Sequence, residues 1–498
     1  MKKIIYSIIA LLTISTSCED YLEEDPKIAS PDNFPKTEED VLSLFGASLN
    51  HLHNTGGYFE RALMFMVEVA ADHSSTKRNA TDDRGALNFY TFDSDNGEND
   101  RAWRELYLGI NEMNFIISAL EETSEPWMPP YLGAAKAWRA YLYSDLVQYY
   151  GDVPIFTRSI EAVSEATEAM RQPTSEVYAL IIRDLTDAEV LLEGHEWDLP
   201  GLPGETFAKT ALARVYMTMA GEPVNDMSKW AMAAQKAKEV KTLGRHALVK
   251  PYSDLWQLEN RNNEEIILAG QRSLVGGATR SLINNRTRPR NIGELRGAGE
   301  FTASLGLYNR FSPNDLRRSV SVQTEFIDSV SNPRDTTHYT ELGNSREAQP
   351  YYSKYWDSDR APEDWRNDER RNSNAIPIFR YAEVLLMIAE ADNEANGPTA
   401  EAYDAINEVR DRAGLPPLNG LSKEQFRDSV RLERELELCM EGKRRFDLVR
   451  WGTFLEVMSQ DEFAADNVRP HHVLFPIPLN ERRLNNKITQ NAGYEDAL

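Results

Sequence analysis

The chain has 498 residues and a formal net charge of −24. Charged residues make up 27% and aromatics 10%, a composition that excludes a disordered chain and fits a folded globular one. The charge argues against general nucleic-acid binding and against docking on anionic lipid headgroups.

Lys2 and Lys3 precede an apolar run, Ile4 to Ile14, too short to span a bilayer as a stable helix. Ser15-Thr16-Ser17-Cys18 then places small residues before a cysteine, as a lipobox does, although Ser15 stands where the common pattern has Leu. Two readings stay open: a lipoprotein signal over residues 1–17 with Cys18 acylated, or a secretory signal with an incidental cysteine. Glu19, Asp20, Glu23, Glu24 and Asp25 follow, a solvated acidic tether over residues 18–36. The only other cysteine, Cys439, falls on an apolar helical face and reads as a buried free thiol.

The body begins at residue 37. Thr37 is placed to cap a first helix to Asn50, and Arg61 to Ala71 reads as a second. Periodicity then breaks. Asp93-Ser94-Asp95-Asn96-Gly97-Glu98 has calcium-loop residues at the wrong spacing, so a capping turn is the expectation and no metal site is assigned. Trp103–Leu120 is predicted as a helix. Ala135, Trp138, Leu142, Leu146 and Tyr149 mark a long one, ending at Gly151-Asp152-Val153-Pro154, with a partner through Val177, Ile181, Leu185 and Leu192. Ala208 to Met219 and Trp230 to Val240 form a second pair.

From residue 244 to about 375 helical periodicity fades into an irregular insertion, with Glu265-Ile266-Ile267-Leu268-Ala269 as a possible strand. Insertions of this length are often functional. Arg272, Arg280, Arg286, Arg288, Arg290 and Arg296 crowd its first part against one acid, Glu294; Tyr351, Tyr352, Tyr355, Trp356 and Trp365 enrich its second. Helices resume through Tyr381, Val384, Leu385 and Ile388. A helix capped at Thr399 follows, then one with a Ser422/Gln425 capping box, then one taking in Phe446, Val449 and Leu455. The helical stretches, about 101–243 and 376–458, suggest about four tetratricopeptide-like helix pairs, a mainly α fold.

No catalytic constellation stands out. The phosphate loop, the Gly-x-Ser-x-Gly elbow, His-Glu-x-x-His and zinc-spaced Cys/His clusters are all absent, so no enzyme and no cofactor are expected. A glycosidase carboxylate pair is defined only in space, which leaves a glycan-cleaving enzyme as a minor alternative.

Ile378-Phe379-Arg380-Tyr381-Ala382-Glu383 through Ala391, Glu441-Gly442-Lys443-Arg444-Arg445-Phe446-Asp447-Leu448-Val449-Arg450-Trp451-Gly452, and Phe475-Pro476-Ile477-Pro478 to Tyr494 resemble the SusD/RagB family. The resemblance implies a SusD-like domain over residues 37–498. It also implies an acylated Cys18, with the acidic stretch after it as an export signal to the outer face of the outer membrane. The expected partners are an oligosaccharide and a SusC-type TonB-dependent transporter, with the membrane met by the lipid alone. Family members place the ligand on loops outside the repeats, here Asp72–Tyr90, Arg272–Gly299 and Tyr351–Arg371. The candidate residues are Asp72, His73, Lys77, Arg78, Tyr90, Arg286, Arg288, Arg290, Trp356, Trp365 and Arg366. Aromatic rings suit the C–H faces of sugars, and arginine forks suit carboxylates, so an acidic, uronate-type glycan is one expectation. Pairing of the arginines with the protein's own acids or with the transporter is the other. A peptide-capturing member of the same family remains the alternative.

Overall fold

The computed structural model describes residues 35–54, 56–122, 125–197, 201–270, 281–290, 297–327, 336–342, 348–356 and 376–494. Cys18, Arg272, Arg280, Arg296, Trp365 and Arg366 lie outside them.

Long helices carry the fold. They are α1 (Glu38–His53), α2 (Gly97–Glu121), α3 (Met128–Tyr150), α4 (Thr174–Leu191), α5 (Glu205–Ala220), α6 (Lys229–Leu243), α7 (Tyr381–Asn396), α8 (Ala400–Arg412) and α9 (Lys423–Leu438). From α1 to α8 each packs against the next, and α7 also takes α9, so the insertion between α6 and α7 leaves the row of helices unbroken. The starts follow capping chemistry. Thr37 and Asp40 make a reciprocal capping box, as do Ser422 and Gln425. Asn96 accepts from the Glu98 and Asn99 amides, so the acidic turn before α2 is a cap, and α2 starts six residues earlier than Trp103.

α3 and α7 are buried nearly all round, as central helices must be, and not on one stripe. Their polar residues are paired accordingly. Arg139 of α3 forks onto Asp184 of α4 at 2.7 and 2.8 Å and donates to Asn114 of α2 at 2.8 Å. Three helices are thereby tied at one guanidinium.

Two expected helices differ. Arg61–Ala71 contains a π-helix, Met64–Val69, after a 3-10 turn, Tyr58–Glu60. All six π-helical residues are buried, Glu68 included; its carboxylate takes the Met440 and Lys443 amides at 3.0 and 2.9 Å. The helix through Phe446 and Leu455 is two short ones, Arg444–Arg450 and Phe454–Met458, broken at Gly452, whose φ of +70° is glycine's to adopt. Cys439 is buried, and burial pushes its thiol up to about 11, away from reactivity.

His51 of α1 carries a pH dependence. Its Nε2 donates to the Glu105 carbonyl at 3.0 Å, which leaves Nδ1 facing Glu112 Oε2 at 3.3 Å. Burial pushes the imidazole below its ordinary value and the Glu112 carboxyl up to about 7. Burial thus favours the uncharged form of each. The folded protein then holds a proton that the unfolded chain releases near 4.5, so the stabilisation is complete below that pH and is lost as pH rises through 7. Glu112→Gln should reduce the stability difference between pH 5 and pH 8 by about 1–2 kcal/mol in denaturant melts. An unchanged difference would refute the neutral pair.

Candidate functional site

The insertion is held to the early segment by a small sheet. Strands β1 (Ser74–Ser75), β3 (Thr302–Ala303), β7 (Tyr351–Tyr352) and β4 (Val322–Gln323) pair antiparallel in the order β1-β3-β7-β4. Separately, β2 (Ile266–Ala269) pairs with β8 (Pro377–Arg380), which leads into α7, and β5 (Glu325–Ile327) with β6 (Thr336–His338). Side chains reinforce the first sheet. Ser75 Oγ meets Thr302 Oγ1 at 2.7 Å, and the Tyr352 hydroxyl donates to the His73 carbonyl at 2.7 Å. Through β3 the sheet thus joins the first and third of the expected segments, and the contacts of Trp356 with Thr287 and of Lys77 with Ala298 bring in the described part of the second.

Within them the candidates divide. Asp72 is engaged by Arg444 at 2.7 and 2.9 Å, and Arg444 and Arg310 hold its carboxyl below the ordinary range against the opposing effect of burial. His73 is buried, its Nε2 at 2.5 Å from Glu68. Tyr90 is buried and donates to the Ala70 carbonyl at 2.6 Å. Arg286 is buried, donates to the Glu60 carbonyl at 2.8 Å and faces Glu300 at 3.4 Å. Each of these four is thus engaged within the protein, where it holds the loops together. Arg78 and Arg84 also reach Glu300, Arg84 at 2.6 Å, and the three guanidiniums hold that carboxyl low although burial opposes them. Lys77 reaches across to the Ala298 carbonyl.

Arg288 and Trp356 form the other group. The Trp356 indole N–H donates to Thr287 Oγ1 at 3.2 Å, and the Arg288 guanidinium lies 5.7 Å from its ring centre. Phe326 stands 6.2 Å from Trp356 and 5.6 Å from Tyr351, edge-on to the latter. Phe326 and Tyr351 are buried; Tyr339, Leu342 and Trp356 are half-buried around them, in a cluster separate from the main core. Arg290 is exposed. This is an aromatic surface backed by a fixed sheet and edged by arginine. It can stack on a flat apolar face and pair with an anion beside it.

Sequence reasoning missed Phe326, Tyr339 and Thr287. A signal existed in Val322–Ile327 and Thr336-Thr337-His338-Tyr339, two β-rich runs across a short gap, which pair as β5 and β6.

Glu300, the acid at the centre of these loops, is held low by three arginines and so does not suit a general acid. Among the described residues no three His, Cys, Asp or Glu side chains gather as a metal site, and no helix is long and apolar enough to cross a membrane.

Two family models match the chain: the SusD family over residues 260–494, and "Starch-binding associating with outer membrane" over residues 20–217. The SusD-like protein P25 of Formosa agariphila is 27% identical over 96% of this chain and 97% of its own. The starch-binding protein SusD of Bacteroides thetaiotaomicron is 31% identical, over 27% of this chain and 25% of its own. Among solved structures, a SusD homolog from the same Bacteroides species superposes with a TM-score of 0.81 at 22% identity, covering 93% of this chain and 98% of the other. A laminarin-binding SusD-like protein superposes at 0.78 with 23% identity, covering 92% and 100%. With the helical row, the signature stretches at both ends of α7–α9 and these likenesses agreeing, the chain belongs to the SusD/RagB family.

Proposed function

We propose that this protein is an outer-membrane lipoprotein, acylated at Cys18 and facing outward, that captures an oligosaccharide without cleaving it and delivers it to a SusC-type TonB-dependent transporter. The supporting observation is the Trp356–Tyr339 surface, held by a sheet that joins the early segment to the insertion. Relatives named for starch and laminarin binding point to the same ligand class. The repeat face is left for the transporter, since stacked helices supply rigid extended surfaces.

The acidic-glycan reading narrows to fewer arginines. Arg286 is engaged with Glu60 and Glu300 and Arg288 is buried beside Trp356, so the exposed Arg290 is the group to meet a uronate. The body from residue 19 onward should therefore bind a polyuronate more weakly as salt rises, because exposed charges are screened beyond about 10 Å at 0.1 M. Arg290→Ala should weaken that binding about threefold to tenfold at low salt and less at high salt. Binding of a neutral glucan alone, with no effect of Arg290→Ala, would make stacking the whole mechanism and remove the acidic ligand. Failure to bind any glycan in such a screen would remove the glycan reading itself.

A further inference from the structure

The two internal signature stretches, Ile378 to Ala391 and Glu441 to Gly452, give no residue to the aromatic surface. They meet at a buried cavity of about 20 Å³. Glu383 of the first and Lys443, Asp447 and Arg450 of the second line it, with Arg214 of α5 and Arg434 of α9.

The polar lining is lopsided: four cations stand beside two carboxylates, and both carboxylates are engaged. Asp447 Oδ1 accepts from Arg434 Nη2 at 3.1 Å and from Arg450 Nε and Nη2 at 2.9 and 2.8 Å, while its Oδ2 accepts from Arg434 Nε at 3.0 Å. Glu383 pairs with Lys443 at 3.0 Å. Two further acids meet these cations from outside the lining, Asp145 on Arg214 at 3.0 Å and Glu390 on Arg450 at 2.5 and 2.8 Å. One donor is left over. Arg434 is 3% exposed, and its Nη1 is buried with no hydrogen-bond partner among the described residues. Burial pulls the Lys443 ammonium below its ordinary value, and the Arg214 guanidinium adds to the pull against Glu383.

Leaving a buried guanidinium N–H without an acceptor is costly, so the cavity favours an occupant that accepts. Its volume admits one water-sized species and excludes a sugar, a carboxylate, sulfate or phosphate. A water would accept from Nη1 but has two protons of its own to place, in a lining rich in donors where Asp447 already takes four N–H bonds. A halide only accepts. We propose that the cavity binds one chloride ion on Arg434 Nη1, among the Arg214, Lys443 and Arg450 charges, and that the ion ties the short helix Arg444–Arg450 to α5 and α9.

A ligand held only by the folded protein raises its stability by mass action. Replacing gluconate with chloride at a constant ionic strength of about 0.2 M should therefore raise the melting temperature of the mature protein by at least about 2 °C. Gluconate is too large for the cavity and controls for screening. Bromide should act as chloride does, and crystals soaked in bromide should show an anomalous peak within hydrogen-bond distance of Arg434 Nη1. Gln148 of α3 is half-buried and also lines the cavity, so Gln148→Glu offers a carboxylate there at nearly constant shape. That variant should lose at least about half of the chloride response. No bromide peak in the cavity, or a parent that melts alike in chloride and gluconate, overturns the site. A response that Gln148→Glu keeps in full places the halide effect elsewhere on the protein and overturns it as well.

Discussion

Arg380→Ala should destabilise the protein by about 3–5 kcal/mol, the usual cost of breaking a buried charge pair from one side, and so remove much of a typical total of roughly 5–15 kcal/mol. Arg380 ends β8 and is buried with all five N–H donors used. Nε donates to Glu441 at 2.7 Å, Nη1 to Glu265 and Glu437 at 2.8 and 2.6 Å, and Nη2 to the Glu437 carbonyl and Glu441 at 2.7 and 2.9 Å. Arg412 reaches Glu265 at 2.7 Å, Arg317 reaches Glu437 at 2.8 Å and Lys354 reaches Glu441 at 2.8 Å. Trp256 closes one side, its ring centre 5.0 Å from the Lys354 ammonium and 5.7 Å from the Arg380 guanidinium. Removing Arg380 leaves Glu437 and Glu441 buried with too little positive charge. Arg380→Lys should recover only part of the loss, because an ammonium has three donors where the fork has five.

The same cluster sets a pH signature. Burial pushes the Glu437 carboxyl up, but Arg412, Arg380 and Arg317 outweigh it and hold it well below the ordinary range. A depressed carboxylate stabilises above its unfolded value near 4.5 and loses that contribution as pH falls towards its folded value. Arg380→Ala weakens the pull, so its acid unfolding should begin at higher pH than the parent's. Equilibrium melts at pH 7 and an acid titration followed by circular dichroism measure both. A loss under about 1 kcal/mol would show that the other cations suffice.

This cluster marks where sequence reading stops. Helices were legible because caps and periodicity are local: Thr37, Thr399 and Ser422 each cap where their spacing places them. The π-helix was not, because six consecutive buried residues carry no stripe from which to read a period. Arg380 looked like one residue of a family signature; its partners are 115 positions away at Glu265 and 57 at Glu437. The arginine-rich insertion was legible as a composition but not as a role. Whether an arginine faces solvent or a glutamate depends on contacts such as Arg286 with Glu300, which only the folded sheet creates.

Trp356→Ala should weaken glycan binding at least about tenfold and leave the melting temperature nearly unchanged, since a stacked aromatic at the centre of a contact commonly carries 1–3 kcal/mol. The expected insensitivity of the fold follows from the packing. Trp356 is half-buried in a cluster apart from the main core, while its neighbours in the chain, Lys354 and Tyr355, are buried in that core's charge cluster and against the Met440 carbonyl. Its indole N–H donates to Thr287, so Trp356→Phe separates the two contributions. Phenylalanine keeps a stacking face and loses the orienting hydrogen bond; it should bind between the parent and the alanine variant. Tyr339→Ala should lower affinity in the same sense and by less, since Tyr339 is half-buried in the same cluster and offers a smaller ring than tryptophan. Isothermal titration against a laminarin-type and a starch-type oligosaccharide gives the affinities, and thermal melts of the same preparations control for folding. Parent-like affinity in Trp356→Ala with either ligand that the parent binds would move the site off this surface. The position was visible in the sequence as one of the five aromatics of residues 351–365, but the choice among them was not. Tyr351, Tyr352 and Tyr355 are buried in the sheet and the core, Trp365 lies outside the described residues, and what sets Trp356 apart is that its loop leaves it half-buried beside Arg288.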